Sequence, residues 1–338
     1  MDKIEIRKRL CRYINESHQR SKPSKCIICG KSITALCNSH SIPQFVLRNL
    51  TKDGKVINAA LALDLNIVNQ EDGIKRSGTF SLICRECDNR VFSHYEDENA
   101  LLQTPNNIIM AEIAMKNSLQ QISKRNVEIE LYALLQEETK RIEGKETLDT
   151  IQGLDIRDYL FDYRRSKKII DKGLKSGYIL LFSTLLPYVV PIAAQTGITL
   201  VHDLQGNIVN DIFDMSPNIR MQSLHCCIFP LQNSTRIALF HHKDDRNYVH
   251  FDKQFERLNI EEQLKYINYI LFQYSENYFA SIEIKEELLH NDNLKKLCRE
   301  NYGMPNLGFV EMPNIFEQYT TVSIEDIPNF LHEKYKIA

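Results

Sequence analysis

The sequence predicts an α+β fold in three parts, and three observations carry that expectation. Two Cys-x-x-Cys pairs, Cys26/Cys29 and Cys84/Cys87, bracket a segment in the N-terminal third. Apolar residues then recur at helical spacing between residues 99 and 141, at Ile108, Ile109, Ile113, Leu119 and Ile122 among others. From Gly177 onward the pattern turns to the alternation of strands. The expected organisation is a basic N-terminal helix over residues 1–23, a cysteine-braced module over 24–100 and a helical connector over 101–175. A C-terminal α+β domain with an antiparallel sheet follows over 176–338.

Residues 2–19 read as a short basic helix, broken by Ser21-Lys-Pro-Ser-Lys25. Residues 26–98 mix short strands with turns, signalled by Asp53-Gly54 and Asp72-Gly73. The polar, glycine-containing stretch 142–153 predicts a linker, and another helix is expected from about Ile156 to Lys172. Tyr178-Ile-Leu-Leu-Phe-Ser183 predicts a strand. Ile198–Asp203 and Ile208–Phe213 predict a hairpin around Gly206, and Ser223–Pro230 with Thr235–His242 predict a second one through Gln232-Asn-Ser. A helix from Ile260 to about Phe279 carries Leu264, Ile267, Ile270 and Leu271 on one stripe, and short helices and loops are expected to the end.

Composition bounds the function classes. The 338 residues are 43% apolar and 25% charged, the balance of a globular chain with a real core. No apolar run reaches the roughly 18 residues of a membrane span, and Met1-Asp-Lys-Ile-Glu-Ile-Arg-Lys-Arg9 has no secretory apolar stretch. A cytoplasmic location is the expectation. In a reducing compartment, paired Cys-x-x-Cys motifs point to metal or redox chemistry and not to structural disulfides. No thioredoxin-like βαβ pattern surrounds either pair, which favours metal. Cys226, Cys227 and Cys298 read as small buried hydrophobes, and Cys37 lies closer to the pairs. Net charge is −2, yet residues 1–31 hold nine Lys or Arg against three acidic residues, a local net of +6. Arg7, Lys8 and Arg9 are the candidate phosphate contacts, with a solvated helix face as the plain alternative.

Cys26-Ile-Ile-Cys29-Gly30-Lys31 has the form of a zinc knuckle, and Cys84-Arg-Glu-Cys87 supplies the second pair. Four thiolates give the closed tetrahedral set of a structural Zn²⁺ site. Between the pairs lies Ser39-His40-Ser-Ile-Pro43, and Asp88 directly follows Cys87. This arrangement resembles the zinc-braced HNH endonucleases over about residues 24–100. The resemblance implies a treble-clef module that hydrolyses DNA phosphodiester bonds. It makes His40 the general base and places Asp88 on a catalytic Mg²⁺ or Mn²⁺. Restriction or phage defence is the setting such fusions suggest, with the C-terminal domain in recognition, regulation or protein-partner binding.

The sequence also departs from that pattern. Ser39 stands where many such proteins have Asp or Glu, and Ser77–Ile83 contains no Asn. Asn89, His94 and Glu96 are the nearest polar replacements. A non-catalytic zinc module that binds nucleic acid or a protein partner is therefore the alternative. His40 then becomes a hydrogen-bonded structural residue, Asp88 a helix cap, and His94 and Glu96 a solvated face. Beyond the module, His241-His242 and Asp244-Asp245 read as a solvated turn. Gln195-Thr196-Gly197 and Asn210-Asp211 are polar groups that could line a pocket.

Overall fold

The computed structural model describes residues 3–32, 36–51, 53–62, 70–139, 145–300 and 322–337. It is a mixed α+β structure with antiparallel sheets and a cluster of four cysteines near the N-terminus. Helix α1 (Lys3–Arg20) packs along the long connector helix. The chain then turns at the first cysteine pair, where Gly30 adopts φ 70° and its N–H bonds Cys26 O at 2.8 Å. That left-handed conformation is one that glycine adopts without strain. Strand β1 (Ser39–His40) leads through α2 (Gln44–Arg48), β2 (Lys55–Asn58), α3 (Ala59–Ala62) and β3 (Glu71–Gly73) to β4 (Thr79–Phe80). Strands β1 and β4 pair antiparallel, with His40 opposite Thr79. Helix α4 (Arg85–Val91) starts directly after Cys84 and is followed by the single turn of α5 (Glu98–Leu101).

Helices α6 (Asn107–Thr139) and α7 (Lys145–Lys172) lie against each other. The linker expected over 142–153 is helical from Lys145, and its first residues lie outside those described. An i,i+4 pair between Lys145 and Asp149 supports that first turn despite its polarity. The early turns of α6 are buried on every side, because the helix is wedged between the cysteine module and the sheet. One apolar core joins Ile42, Val46, Leu47 and Phe92 of the module, Ile113 and Leu119 of α6, and Phe229 and Phe240 of the sheet.

That sheet has seven strands in the order β3-β2-β9-β6-β7-β8-β5. Its C-terminal members are β5 (Tyr178–Leu186), β6 (Ile192–Ile198), β7 (Leu224–Pro230), β8 (Thr235–His242) and β9 (Tyr278–Ala280). The β7–β8 hairpin falls where the sequence predicts it. The hairpin expected over 198–213 does not form; one isolated bridge, His202 to Ile208, remains of it. The strand in this region is instead β6, whose small Ala193, Ala194 and Gly197 give no strong strand signal. Strand β2 pairs with β9, Ile57 opposite Ala280, so the sheet crosses the boundary expected near residue 176. Both faces of the sheet are covered. On β7, Leu224, Cys226 and Ile228 belong to the core under α8 (Val249–Phe255) and α9 (Ile260–Tyr274), while Cys227 and Phe229 face α6. The α9 helix opens on a capping box of Asn259 with Glu262 and ends at Tyr274, short of the expected Phe279, which lies in β9. Two short helices, α10 (Lys285–His290) and α11 (Asp292–Glu300), follow. Among the described residues, no helix is long and apolar enough to cross a membrane.

The turn expected to be solvated at His241–Asp245 is mostly core. His241, His242 and Asp245 are buried, and Lys243 and Asp244 reach solvent. Asp245 accepts from Arg165 at 2.5 Å and pairs with Arg220; Asp162 bridges the same two guanidinium groups at 3.0 and 3.1 Å. Burial raises the Asp162 carboxyl to about 6 against the pull of both arginines. In Asp245 the arginines outweigh burial and hold the carboxyl below its usual range. Its stabilising contribution is therefore complete above the unfolded carboxyl value and is lost as pH falls through the lower folded one. Asp245→Ala leaves two largely buried guanidinium groups with Asp162 as their shared carboxylate and is expected to destabilise the fold by about 3 kcal/mol in urea titrations. A loss below about 1 kcal/mol would place this network among exposed ion pairs in effect.

Candidate metal centre and the polar site beside it

The four sulfurs of Cys26, Cys29, Cys84 and Cys87 lie within 4.8 Å of one another, with Cys29 Sγ and Cys84 Sγ at 3.9 Å. Tetrahedral zinc with Zn–S bonds near 2.3 Å separates its sulfurs by about 3.8 Å. The cluster is thus sized for one such ion, and four soft thiolates are the donor set zinc prefers. Local structure fixes the donors. The knuckle turn closes through Cys26 N to Lys31 O at 3.0 Å, Ile27 N bonds Leu82 O, and Tyr163 of α7 donates to Ile27 O at 3.1 Å. Cys84 sits at the N-cap position of α4 and Cys87 in its first turn. Burial raises the Cys26 thiol, but N–H groups of Cys29, Cys84 and Ile28 outweigh it and bring it down to about 7. Burial and the neighbouring thiols hold Cys87 up to about 12. Among the described residues, no second group of three His, Cys, Asp or Glu side chains converges in this way.

A second polar site lies against this cluster, at the junction of β1, α4 and α6. Asp88 is in the first turn of α4 but caps nothing; its side chain leaves the helix. Asp88 Oδ1 accepts from Ser39 Oγ at 2.7 Å and from Lys116 Nζ at 2.7 Å, and the Cys37 thiol approaches Oδ2 at 3.7 Å. Lys116 also donates to Ser39 Oγ at 2.8 Å and pairs with Glu96 at 3.0 Å. Its ammonium sits 3.9 Å from the centre of the Phe92 ring. The Lys116 side chain is 0% exposed, that of Asp88 17% and that of Glu96 33%. Burial raises the Glu96 carboxyl, opposed by Lys116. One helical turn before Lys116, the buried carboxylate of Glu112 accepts from His94 Nδ1 at 2.5 Å and from Tyr95 N at 3.0 Å. It ties the segment after α4 to α6. His94 is exposed, as expected of a solvated face, although it reaches Glu112, whereas Glu96 is half-buried against Lys116 of α6.

His40 lies beside this cluster without contacting it. Successive strand residues point to opposite faces, so Ser39 meets Asp88 while His40 turns away. His40 Nε2 lies 3.1 Å from Ile74 O, and a carbonyl accepts only, so Nε2 carries the proton. Nδ1 then keeps its lone pair. Burial, with help from Lys116, lowers the His40 pKa against the opposing Ile74 carbonyl and Asp88. The imidazole is neutral at pH 7, oriented, and basic at Nδ1.

Of the basic candidates on α1, Lys8 is exposed, Arg9 pairs with Glu138 of α6, and the side chain of Arg7 lies outside the described residues. Arg20 likewise pairs with Glu137. Gly197 borders a cavity of about 520 Å³ with Gln120, Lys124 and Asn277, whereas Gln195 is buried and Asn210 bonds Leu200 O. Sequence reasoning missed Lys116. The available signal was a charged residue inside an otherwise apolar helical run, Met110-Ala-Glu-Ile-Ala-Met-Lys116, four positions after a second one. Comparison of the chain with protein-family models, with curated proteins and with solved structures finds no match.

Proposed function

We propose that the chain is a zinc-braced, HNH-like endonuclease of the cytoplasm that hydrolyses DNA phosphodiester bonds, with His40 as the general base. The observation that supports this reading is the state of His40: neutral, with Nε2–H held on Ile74 O and the Nδ1 lone pair available, in a strand pair braced by the four-cysteine cluster. In the proposed step, Nδ1 takes a proton from water as the water oxygen attacks phosphorus; the P–O bond to the leaving sugar oxygen breaks, and that oxygen is protonated from solvent. Zinc holds the fold and takes no part in the step. A restriction or phage-defence setting, with the C-terminal sheet in recognition, fits an N-terminal cutting module.

The second reading is a non-catalytic zinc module that binds nucleic acid or a protein partner. What favours it is the ion pair between Asp88 and Lys116, which occupies the carboxylate that the resemblance assigns to a catalytic ion. Incubating purified protein with plasmid DNA, with and without added Mg²⁺, separates the two. Nicked or linear product supports the endonuclease, and intact plasmid under every condition supports the binding module.

The endonuclease reading, and the second reading where its ligand is nucleic acid, expect α1 to neutralise phosphates. Replacing Arg7, Lys8 and Arg9 by Ala should weaken DNA binding for all sequences. It should also flatten the salt dependence by about 0.9 in log–log slope for each phosphate that is no longer neutralised. An unchanged slope in a salt-titrated anisotropy assay would assign these residues to a solvated face.

A further inference from the structure

The family resemblance would place a divalent ion between Ser39 and Asp88, and the residues present do not fit one. The oxygens nearest Lys116 are already engaged, and Asp88 Oδ2 meets the Cys37 thiol at 3.7 Å. Ser39 Oγ donates to Asp88 Oδ1 and accepts from Lys116, and Asp88 Oδ1 accepts from both at 2.7 Å. An ammonium has three N–H donors. Lys116 directs them at three oxygens, Ser39 Oγ, Asp88 Oδ1 and Glu96 Oε1, at 2.8, 2.7 and 3.0 Å. These are the lengths of charge-assisted hydrogen bonds. Mg²⁺ demands oxygens near 2.1 Å in an octahedral set. It would have to expel the ammonium first. Lys116 is fully buried on a helix whose neighbouring residues are fixed in the core, and the Phe92 ring lies against its charge.

We infer that Lys116 is the built-in cation of this site, standing where HNH-like chemistry uses a divalent ion. The inference rests on the proposed function only for its cleavage arm. Lys116 fixes the positions of Asp88, Ser39 and Glu96, and its charge lies behind them, out of reach of a substrate. It is a positioning residue. Two consequences follow: the site binds no Mg²⁺ or Mn²⁺, and hydrolysis needs no metal beyond the zinc.

The test uses the full-length zinc-loaded protein and Mn²⁺ as the probe, with free Mn²⁺ followed by its electron paramagnetic resonance signal. Wild type is expected to take up no stoichiometric Mn²⁺ in the submillimolar range. Lys116→Met removes the ammonium but keeps most of the length of the side chain, leaving Asp88 and Glu96 without a counter-ion. It is expected to gain one Mn²⁺ with affinity at least roughly tenfold above wild type, or about 1.4 kcal/mol. One Mn²⁺ bound by wild type and lost in Asp88→Asn would overturn the inference. Should Lys116→Met fail to fold, the wild-type titration decides alone. In the cleavage arm, activity that persists in EDTA with zinc retained supports the inference, and activity that appears only with Mg²⁺ overturns it. Absence of cleavage under every condition counts against the endonuclease reading and leaves the Mn²⁺ count as the test of Lys116.

Discussion

Cys29→Ser, or removal of zinc by a strong chelator, is expected to unfold the module around the four-cysteine cluster and to loosen the core beyond it. Structural zinc supplies about 10–16 kcal/mol of binding free energy at neutral pH, as much as the whole stability of an ordinary domain. Apart from the β2–β3 pair that it lends to the large sheet, the module has little regular structure. Its own sheet is two strands of two residues each, and α4 has seven residues. What apolar packing it has, from Ile42, Val46, Leu47 and Phe92, is shared with α6 and the large sheet. Loss of the metal should therefore expose part of α6, including the buried Glu112 and Lys116, and lower the melting temperature of the entire chain. Protons compete with zinc for the thiolates, so the stabilisation is lost as pH falls. The measurements are elemental analysis of freshly reduced protein, circular dichroism melts of holo and chelated samples, and the same melts for Cys29→Ser. Protein that carries no zinc as purified, or a chelated sample that melts unchanged, would sink the prediction.

The cysteines were readable because their signal is local: two thiols three residues apart, twice, with a glycine after the first pair. The α+β class, the β7–β8 hairpin and the start of α9 were readable for the same reason, since turn and cap residues sit beside the elements they end. The rest depends on partners distant in sequence. Strand β2 carries no mark showing that it would pair with β9, more than 200 residues later. Strand β6 is built from small residues, and its burial between α6 and the opposite helices gives it strand form that propensity does not. The buried state of His241 and Asp245 follows from Asp252 and from Arg165 and Arg220, none of which the turn-like local sequence reveals. The motif marked Asp88, which lies in the polar site, and His40, which lies beside it and turns away. Their environment was not legible, because it is set by Lys116, 28 residues beyond Asp88 and 76 beyond His40.

If His40 is the base, His40→Ala will remove cleavage while leaving zinc content, melting temperature and DNA binding close to wild type. A positioned general base contributes typically about 10²–10⁴-fold in rate, so the loss falls well inside the range of a plasmid-nicking assay. The environment of His40 sharpens the expectation. Its pKa is lowered by burial and by Lys116, so the neutral, basic form persists below the usual imidazole range. Cleavage should accordingly hold its rate down to a pH below about 6.5 and fall only as Nδ1 becomes protonated. His40→Gln is the informative companion. It retains a donor for Ile74 O but has no basic lone pair, so a structural role would be rescued by Gln and a base would not. Asp88→Asn should lower both activity and thermal stability, because Lys116 would then be buried with a weaker partner. Wild-type cleavage that survives His40→Ala, with an unchanged pH profile, would refute the assignment and direct the search to the cavity beside Gly197 and Lys124.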